Sequence, residues 1–235
     1  MAAQAIILQA RLGSTRLPGK VLARVGSRTI LEHCLLRLSA SGLPVIVATT
    51  ELAADDAIEQ HARAFGAAVF RGDERNVLAR FIAAAREFGL TEIVRATADN
   101  PFVDPQAPRR VLDILRQMNA DHVIEDGLPV GAAVEAVATT ALVRSEAWIS
   151  DPADREHVTS FIRRDRRFRA YCAAAPGDVR RPGLRLTVDT QEDLDLVRTV
   201  AGNLAAYPPV PSLAAVIHAA EAALPRARQR IQLGA

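Results

Sequence analysis

The segment Pro44-Val-Ile-Val-Ala-Thr49 carries no charge and sets apolar side chains at consecutive positions rather than alternate ones. A strand of that kind needs cover on both faces, the condition met inside a parallel sheet flanked by helices. Related runs recur at Ala5-Ile-Ile-Leu8 and Glu92-Ile-Val-Arg-Ala-Thr97, with amphipathic helical stretches between them. This alternation predicts repeated βαβ units, and so an α/β fold: a doubly wound, mostly parallel, Rossmann-like sheet.

The remaining elements follow from periodicity and punctuation. Helices are expected over 29–40, over 55–65 with Gly66 as stop, and up to Phe88 with Gly89 as stop. Val69-Phe70 reads as a short third strand, and Asp104-Pro105 as a helix start with an N-cap carboxylate and proline at N1. Further on, strands are expected at 122–125, 134–138, 169–174 and 184–189, with a turn at 127–131 and one capped helix over 151–162. Thr190-Gln-Glu-Asp193 spells a capping box, and Leu194, Val197 and Leu204 mark the apolar face of the helix that follows. Pro208-Pro-Val-Pro211 breaks it before a closing helix at 213–224. No repeat or low-complexity linker divides the chain, so one domain is expected over 1–235. A small β-containing excursion at about 126–182 is placed to serve as a substrate lid or a dimer contact.

Composition narrows the partners. A chain of 235 residues with net charge +2 is large enough for a substantial core and too near neutral to argue for nucleic acid or an anionic membrane. Cys34 and Cys172 stand far apart, and no Cys/His cluster has zinc spacing. Ile6 to Leu8 is too short for a signal or membrane helix, so a cytoplasmic enzyme with a basic pocket is expected.

The chemistry concentrates in Gln9-Ala-Arg-Leu-Gly-Ser-Thr-Arg-Leu-Pro-Gly-Lys20, directly after the first strand. Gly13 and Gly19 admit positive φ and close approach to a ligand. Ser14 and Thr15 add hydroxyls, while Arg11, Arg16 and Lys20 add charge that repels itself unless an anion joins. Lys20 is the only lysine, against 28 arginines among the 29 basic residues. A compact ammonium suits a phosphate oxygen that must later leave with its group. The spelling excludes a Walker A loop, since five residues separate the glycines and Val21 follows the lysine. It also lacks the second glycine of a dinucleotide fingerprint.

Polyphosphate chemistry usually employs Mg²⁺, which one or two carboxylates suffice to hold. Asp99 and Asp189 each lie just past an expected strand end, on the loop's side of the sheet. Singly, Asp99 is equally suited to an Asx turn and Asp189 to a helix cap; together they favour a metal pair. Asp193-Leu-Asp195 falls inside a helix and is set aside.

The loop through Val21-Leu22 resembles the opening loop of the cytidylyltransferases that activate acidic sugars, nearest to the branch named for spore coat polysaccharide biosynthesis protein F. Weaker blocks follow in order over residues 5–200: Val47-Ala-Thr-Thr50 with Asp55-Asp56, Val69-Phe-Arg-Gly72, Val94-Arg-Ala-Thr-Ala-Asp-Asn-Pro101, Arg155-Glu-His-Val-Thr159 and Arg185-Leu-Thr-Val-Asp-Thr190. The resemblance implies a nucleotidyltransferase-type sheet, CTP as donor, release of pyrophosphate, Mg²⁺, a homodimer, and a nonulosonic- or Kdo-like sugar acid as acceptor for surface polysaccharide. By position, Arg11, Gly13, Ser14, Arg16 and Lys20 would hold the CTP phosphates, with Lys20, Arg11 and Asp99 catalytic. Asp99 and Asp189 would hold the metal, and backbone near Ala10 and the Arg71 turn would border the cytosine. Glu135, Glu156 and His157 would face the acceptor. Read as residues alone, Glu156 suits either sugar hydroxyls or an arginine, and His157 either a general base or a packed helix surface. Asn76 departs from the acidic residue expected in relatives. The rival readings are a nucleotidyltransferase for a phosphonate or sugar phosphate, and a nucleotide-binding protein without catalysis.

Overall fold

The computed structural model describes residues 3–205 and 208–233, and for 225–233 the backbone alone. In chain order the elements begin with β1 (Gln4–Gln9), a small hairpin of β2 (Arg24–Val25) and β3 (Arg28–Thr29), α1 (Ile30–Ser39) and β4 (Val45–Thr50). Next come α2 (Asp56–Ala64), β5 (Ala68–Gly72), α3 (Val77–Glu87), β6 (Glu92–Thr97), α4 (Ala107–Gln117) and β7 (His122–Asp126). The chain continues through β8 (Glu135–Ala138), α5 (Thr139–Glu146), α6 (Pro152–His157), α7 (Ser160–Arg164), β9 (Ala170–Ala174), α8 (Gln191–Asn203) and α9 (Leu213–Leu233).

Seven strands form one sheet in the order β5-β4-β1-β6-β8-β7-β9, and β8 alone runs against the rest. The continuous apolar runs do what their pattern demands. On β1, Ile6 and Leu8 enter a core shared with α1, α4, α8 and α9. Ala5 and Ile7, on the opposite pleat, enter a second core with α3, α5 and the residues around α7. The segment 126–182 supplies β8 and β9 to this same sheet and α5, α6 and α7 to its second face. Among the described residues no helix is long and apolar enough to cross a membrane.

Four local expectations are corrected. The helix after Asp104-Pro105 starts at Ala107, because the Asp104 carboxylate accepts from Gln106 N (3.0 Å) and pairs with Arg110 (2.6 Å) instead of capping. The stretch 151–162 is two helices, because Val158 takes φ 62° and ψ −57°, a γ-turn in which Thr159 N donates to His157 O (2.6 Å), which breaks the ladder while the Val158 side chain stays buried. The stretch 184–189 is extended but joins no sheet. Leu184 O accepts from Val130 N and Leu186 N donates to Val130 O (both 2.8 Å), so among the described residues its only bridge is to a turn residue. Gly19 has the expected positive φ of 70°, whereas Gly13 does not.

Both capping boxes form, Thr29 with Glu32 on α1 and Thr190 with Asp193 on α8. Asn76 caps α3 by accepting from Ala79 N, a task that an aspartate performs equally well.

Candidate active site

The sheet order places β4 on one side of β1 and β6 on the other, so the chain reverses direction beyond the carboxyl ends of β1 and β6. Ligand crevices in open α/β sheets lie at such a reversal. A cavity of about 390 Å³ occupies it. Ala10, Arg11, Gly13, Ser14, Arg16 and Lys20 line it from the loop after β1. Asp99 enters after β6, Asp189 from the extended stretch before α8, and Glu156 and His157 from α6.

The loop is fastened from below. Asp55, buried ahead of α2, accepts from Leu12 N at 2.8 Å and from the Thr50 hydroxyl. The sequence presented Asp55 as a helix opener; its carboxylate instead fixes where the loop leaves β1. Leu12 O then takes Ser14 N (2.7 Å) and Gly19 N (3.1 Å), curling the loop back on itself.

Lys20 is buried, and its ammonium donates to Val188 O at 2.7 Å, Asp189 Oδ1 at 2.9 Å and Asp99 Oδ2 at 3.1 Å. Arg16 reaches the same Asp189 oxygen at 2.9 Å, and Arg185 takes the other at 2.7 Å. Burial pushes the Asp189 carboxyl up, but Lys20, Arg185 and Arg16 outweigh it and hold it below its ordinary range. Thr190 caps α8, which leaves the Asp189 carboxylate free to face the cavity. Asp99 is steadied by the Thr97 hydroxyl at 2.7 Å. Arg11 meets Glu156 at 3.2 Å.

Asp99, Asp189 and Val188 O thus converge on one cation through oxygen atoms, the donor chemistry that suits a hard divalent ion. Among the described residues no third carboxylate, histidine or cysteine completes an all-protein site. That fits an ion that takes its remaining ligands from phosphates and water.

Two expected site residues lie elsewhere. Arg71 does not line the cavity; its guanidinium spans Thr50 O, Leu52 O, Asp56 and Glu59, bracing α2 against β4 and β5. Glu135 is buried behind the cavity wall, where it pairs with Arg95 at 2.9 Å, meets His122 at 2.8 Å and accepts from the Thr159 hydroxyl. Burial would raise its pKa, but those partners bring it down to about 2. What reaches the cavity is Arg95 itself, together with Gln9, Arg80 and Thr97, none of which the sequence singled out. A charge inside the otherwise uncharged run from Ile93 to Thr97 was a legible signal for Arg95. Arg80, three residues after Val77 and buried, was visible as a cation on the apolar face of α3.

Comparison with known proteins agrees with this fold. The spore coat polysaccharide biosynthesis protein SpsF of Bacillus subtilis is 35% identical over 206 residues, covering 83% of this chain and 84% of its own. A 3-deoxy-manno-octulosonate cytidylyltransferase of Idiomarina loihiensis is 29% identical over 66% of each chain. The structure of a cytidylyltransferase from Leptospira borgpetersenii superposes with a TM-score of 0.86 at 27% identity, covering 97% of both chains. The family model described as cytidylyltransferase matches residues 5–208. The loop, the paired aspartates and the sheet reversal all lie within that span, and the chain belongs to the cytidylyltransferase family.

Proposed function

We propose that this cytidylyltransferase moves CMP from CTP onto an acidic sugar with release of pyrophosphate. The observation that carries the reading is the clasp of Lys20 between Asp99 and Asp189 beneath a loop holding Arg11, Ser14 and Arg16. The acceptor oxygen attacks the α-phosphorus of CTP, the bond from that phosphorus to the bridging oxygen breaks, and pyrophosphate carries the electrons away. Phosphoryl transfer of this type asks the protein for positioning and charge neutralisation. Arg11, Arg16 and Lys20 neutralise the departing phosphates, and the loop's backbone and Ser14 orient them. Asp99 and Asp189 would hold Mg²⁺, which when bound supplies further neutralisation of the polyphosphate. His157, on the cavity wall, is the nearest imidazole to serve as proton acceptor for the attacking hydroxyl. Backbone near Ala10 would border the cytosine, and Glu156 would exchange Arg11 for acceptor hydroxyls.

A homodimer is part of the proposal. Val130, Val143, Trp148 and Tyr171 are exposed, and all four come from the 126–182 segment. Leu52 and Met118 are the other large apolar side chains exposed among the described residues, so four of the six fall on the segment assigned to the second copy. Sedimentation of the purified chain as a dimer, dissociated by Trp148→Glu, is the expected result; a monomer in both cases rejects this part.

The central test is pyrophosphate release with each of four nucleoside triphosphates against sugar acids, phosphonates and sugar phosphates. CTP preference with a sugar acid, dependent on Mg²⁺, is expected. Turnover confined to a phosphonate or sugar phosphate would overturn the acceptor assignment, and CTP binding without any pyrophosphate release would overturn catalysis.

A further inference from the structure

The cations of the opening loop are all spoken for: Arg11 by Glu156, Arg16 by Asp189, and Lys20 by Asp99 and Asp189. Arg80 is different. It is 2% exposed, lines the cavity, and has no carboxylate within ion-pair distance among the described residues. Its guanidinium donates to Asp73 O, while its Nε is buried without a partner. Burial and the nearby charge of Arg11 pull its pKa down to about 10, against the weaker opposing pull of Asp55, Asp73 and Glu74, none of which forms an ion pair with it. Arg95 lines the same cavity, and its Nε is likewise buried and unpartnered. The one carboxylate beside it, Glu135, is shared with His122 and Thr159. Gln9 adds a third such atom, its buried Oε1.

These residues line one cavity wall for a structural reason. Gln9 stands opposite Thr97, and Ile7 opposite Arg95, in the parallel pairing of β1 with β6. Arg95, Thr97 and Gln9 therefore share one face of the sheet, the face that α3 covers with Arg80. Arg95 also lies four residues before Asp99, one step deeper than the paired aspartates.

We propose that Arg80 and Arg95 hold the carboxylate of the acceptor, with the Gln9 carboxamide taking an adjacent hydroxyl. A buried guanidinium without a counter-ion is costly, and a ligand anion removes that cost. The polyphosphate already has the loop and Lys20. The base and ribose of CTP are neutral and give Arg80 no ion-pair partner. The remaining anion in the proposed reaction is the acceptor's acid, whose planar carboxylate matches the fork of a guanidinium. This inference rests on the sugar-acid reading above and names how that acid would be selected.

The test uses ¹³C-labelled glycolate, the smallest 2-hydroxy acid, and glycolamide, its neutral counterpart, titrated by NMR into the whole chain with and without CTP and Mg²⁺. Wild type should prefer glycolate. Arg80→Gln, and Arg95→Lys, which keeps a cation beside Glu135, should each weaken glycolate by about tenfold or more, the scale of a lost charge-assisted bond. Affinity for CTP should stay within about twofold, because neither side chain serves the phosphates in this assignment. Equal binding of glycolate and glycolamide by wild type overturns the proposal. So does an Arg80→Gln variant that loses CTP and keeps glycolate. Absence of CTP-dependent pyrophosphate release would sink the sugar-acid reading while leaving the glycolate preference to stand or fall separately.

Discussion

Replacing Lys20 by methionine removes one charge from the point where three acceptors meet, and its cost can be worked from the geometry. Two of its bonds join opposite charges, at about 1.5–3 kcal/mol each, and the bond to the neutral Val188 O adds about 1 kcal/mol. The sum, about 4–7 kcal/mol, is an upper bound. Asp189 keeps Arg16 and Arg185, and Asp99 keeps the Thr97 hydroxyl. The two carboxylates are also 18% and 28% exposed, so water covers part of the loss. A net destabilisation of about 2–3 kcal/mol remains, which for a chain of this size lowers Tm by about 4–12 °C. If Asp99 and Asp189 form a divalent site, millimolar Mg²⁺ or Mn²⁺ should restore more stability to Lys20→Met than to wild type, because the ion takes the vacated place between them. Differential scanning calorimetry with and without the ion measures both effects. Pyrophosphate release should fall by about 100-fold or more, the usual cost of deleting a group that neutralises developing charge. A Lys20→Met variant as stable as wild type, with the same response to divalent ions, would refute the reasoning.

Other perturbations separate neighbouring roles. Glu135, held at about 2 against an ordinary 4.5, contributes stability that is fully present above about pH 4.5 and is lost as pH falls toward 2. Glu135→Gln should therefore be less stable by about 3 kcal/mol at neutral pH, with the gap closing through that window; urea midpoints at neutral and acid pH that differ equally from wild type would count against it. Gly131 has φ 94°, and a Cβ there would lie 2.7 Å from Thr187 N, so Gly131→Ala should cost about 1–3 kcal/mol and displace the stretch that carries Asp189. Unchanged thermal stability would show that the stretch yields freely. Asp55→Asn should raise the KM for CTP more than it lowers kcat, by unfastening Leu12 N from beneath the loop; steady-state kinetics with an unaltered CTP KM would refute that anchoring role.

The fold was largely legible because its controlling signals are local. Uncharged consecutive runs demanded cover on both faces, and β1 and β4 received it. Thr190 with Asp193 is a four-residue device that needs nothing distant, and it formed as spelled. Expectations slipped where a long-range partner outbid the local signal. Asp104 looked like a cap but found Arg110, and 184–189 looked like a strand but met only the turn at Val130. Val158 splits a helix that its neighbours would otherwise continue.

The site divided along the same line. The sequence determined a glycine- and arginine-rich loop after a buried strand, and two aspartates beyond strand ends, because those follow from residue type and from the side of the sheet on which a parallel strand must finish. Only the tertiary structure decided that Lys20 lies between Asp99 and Asp189, that Arg71 is committed to partners outside the cavity and Glu135 to Arg95, His122 and Thr159 behind its wall, and that Arg80 and Arg95 face into it. A charge takes its role from what surrounds it, and the partners of Lys20 lie 79 and 169 residues along the chain, a separation that only packing closes.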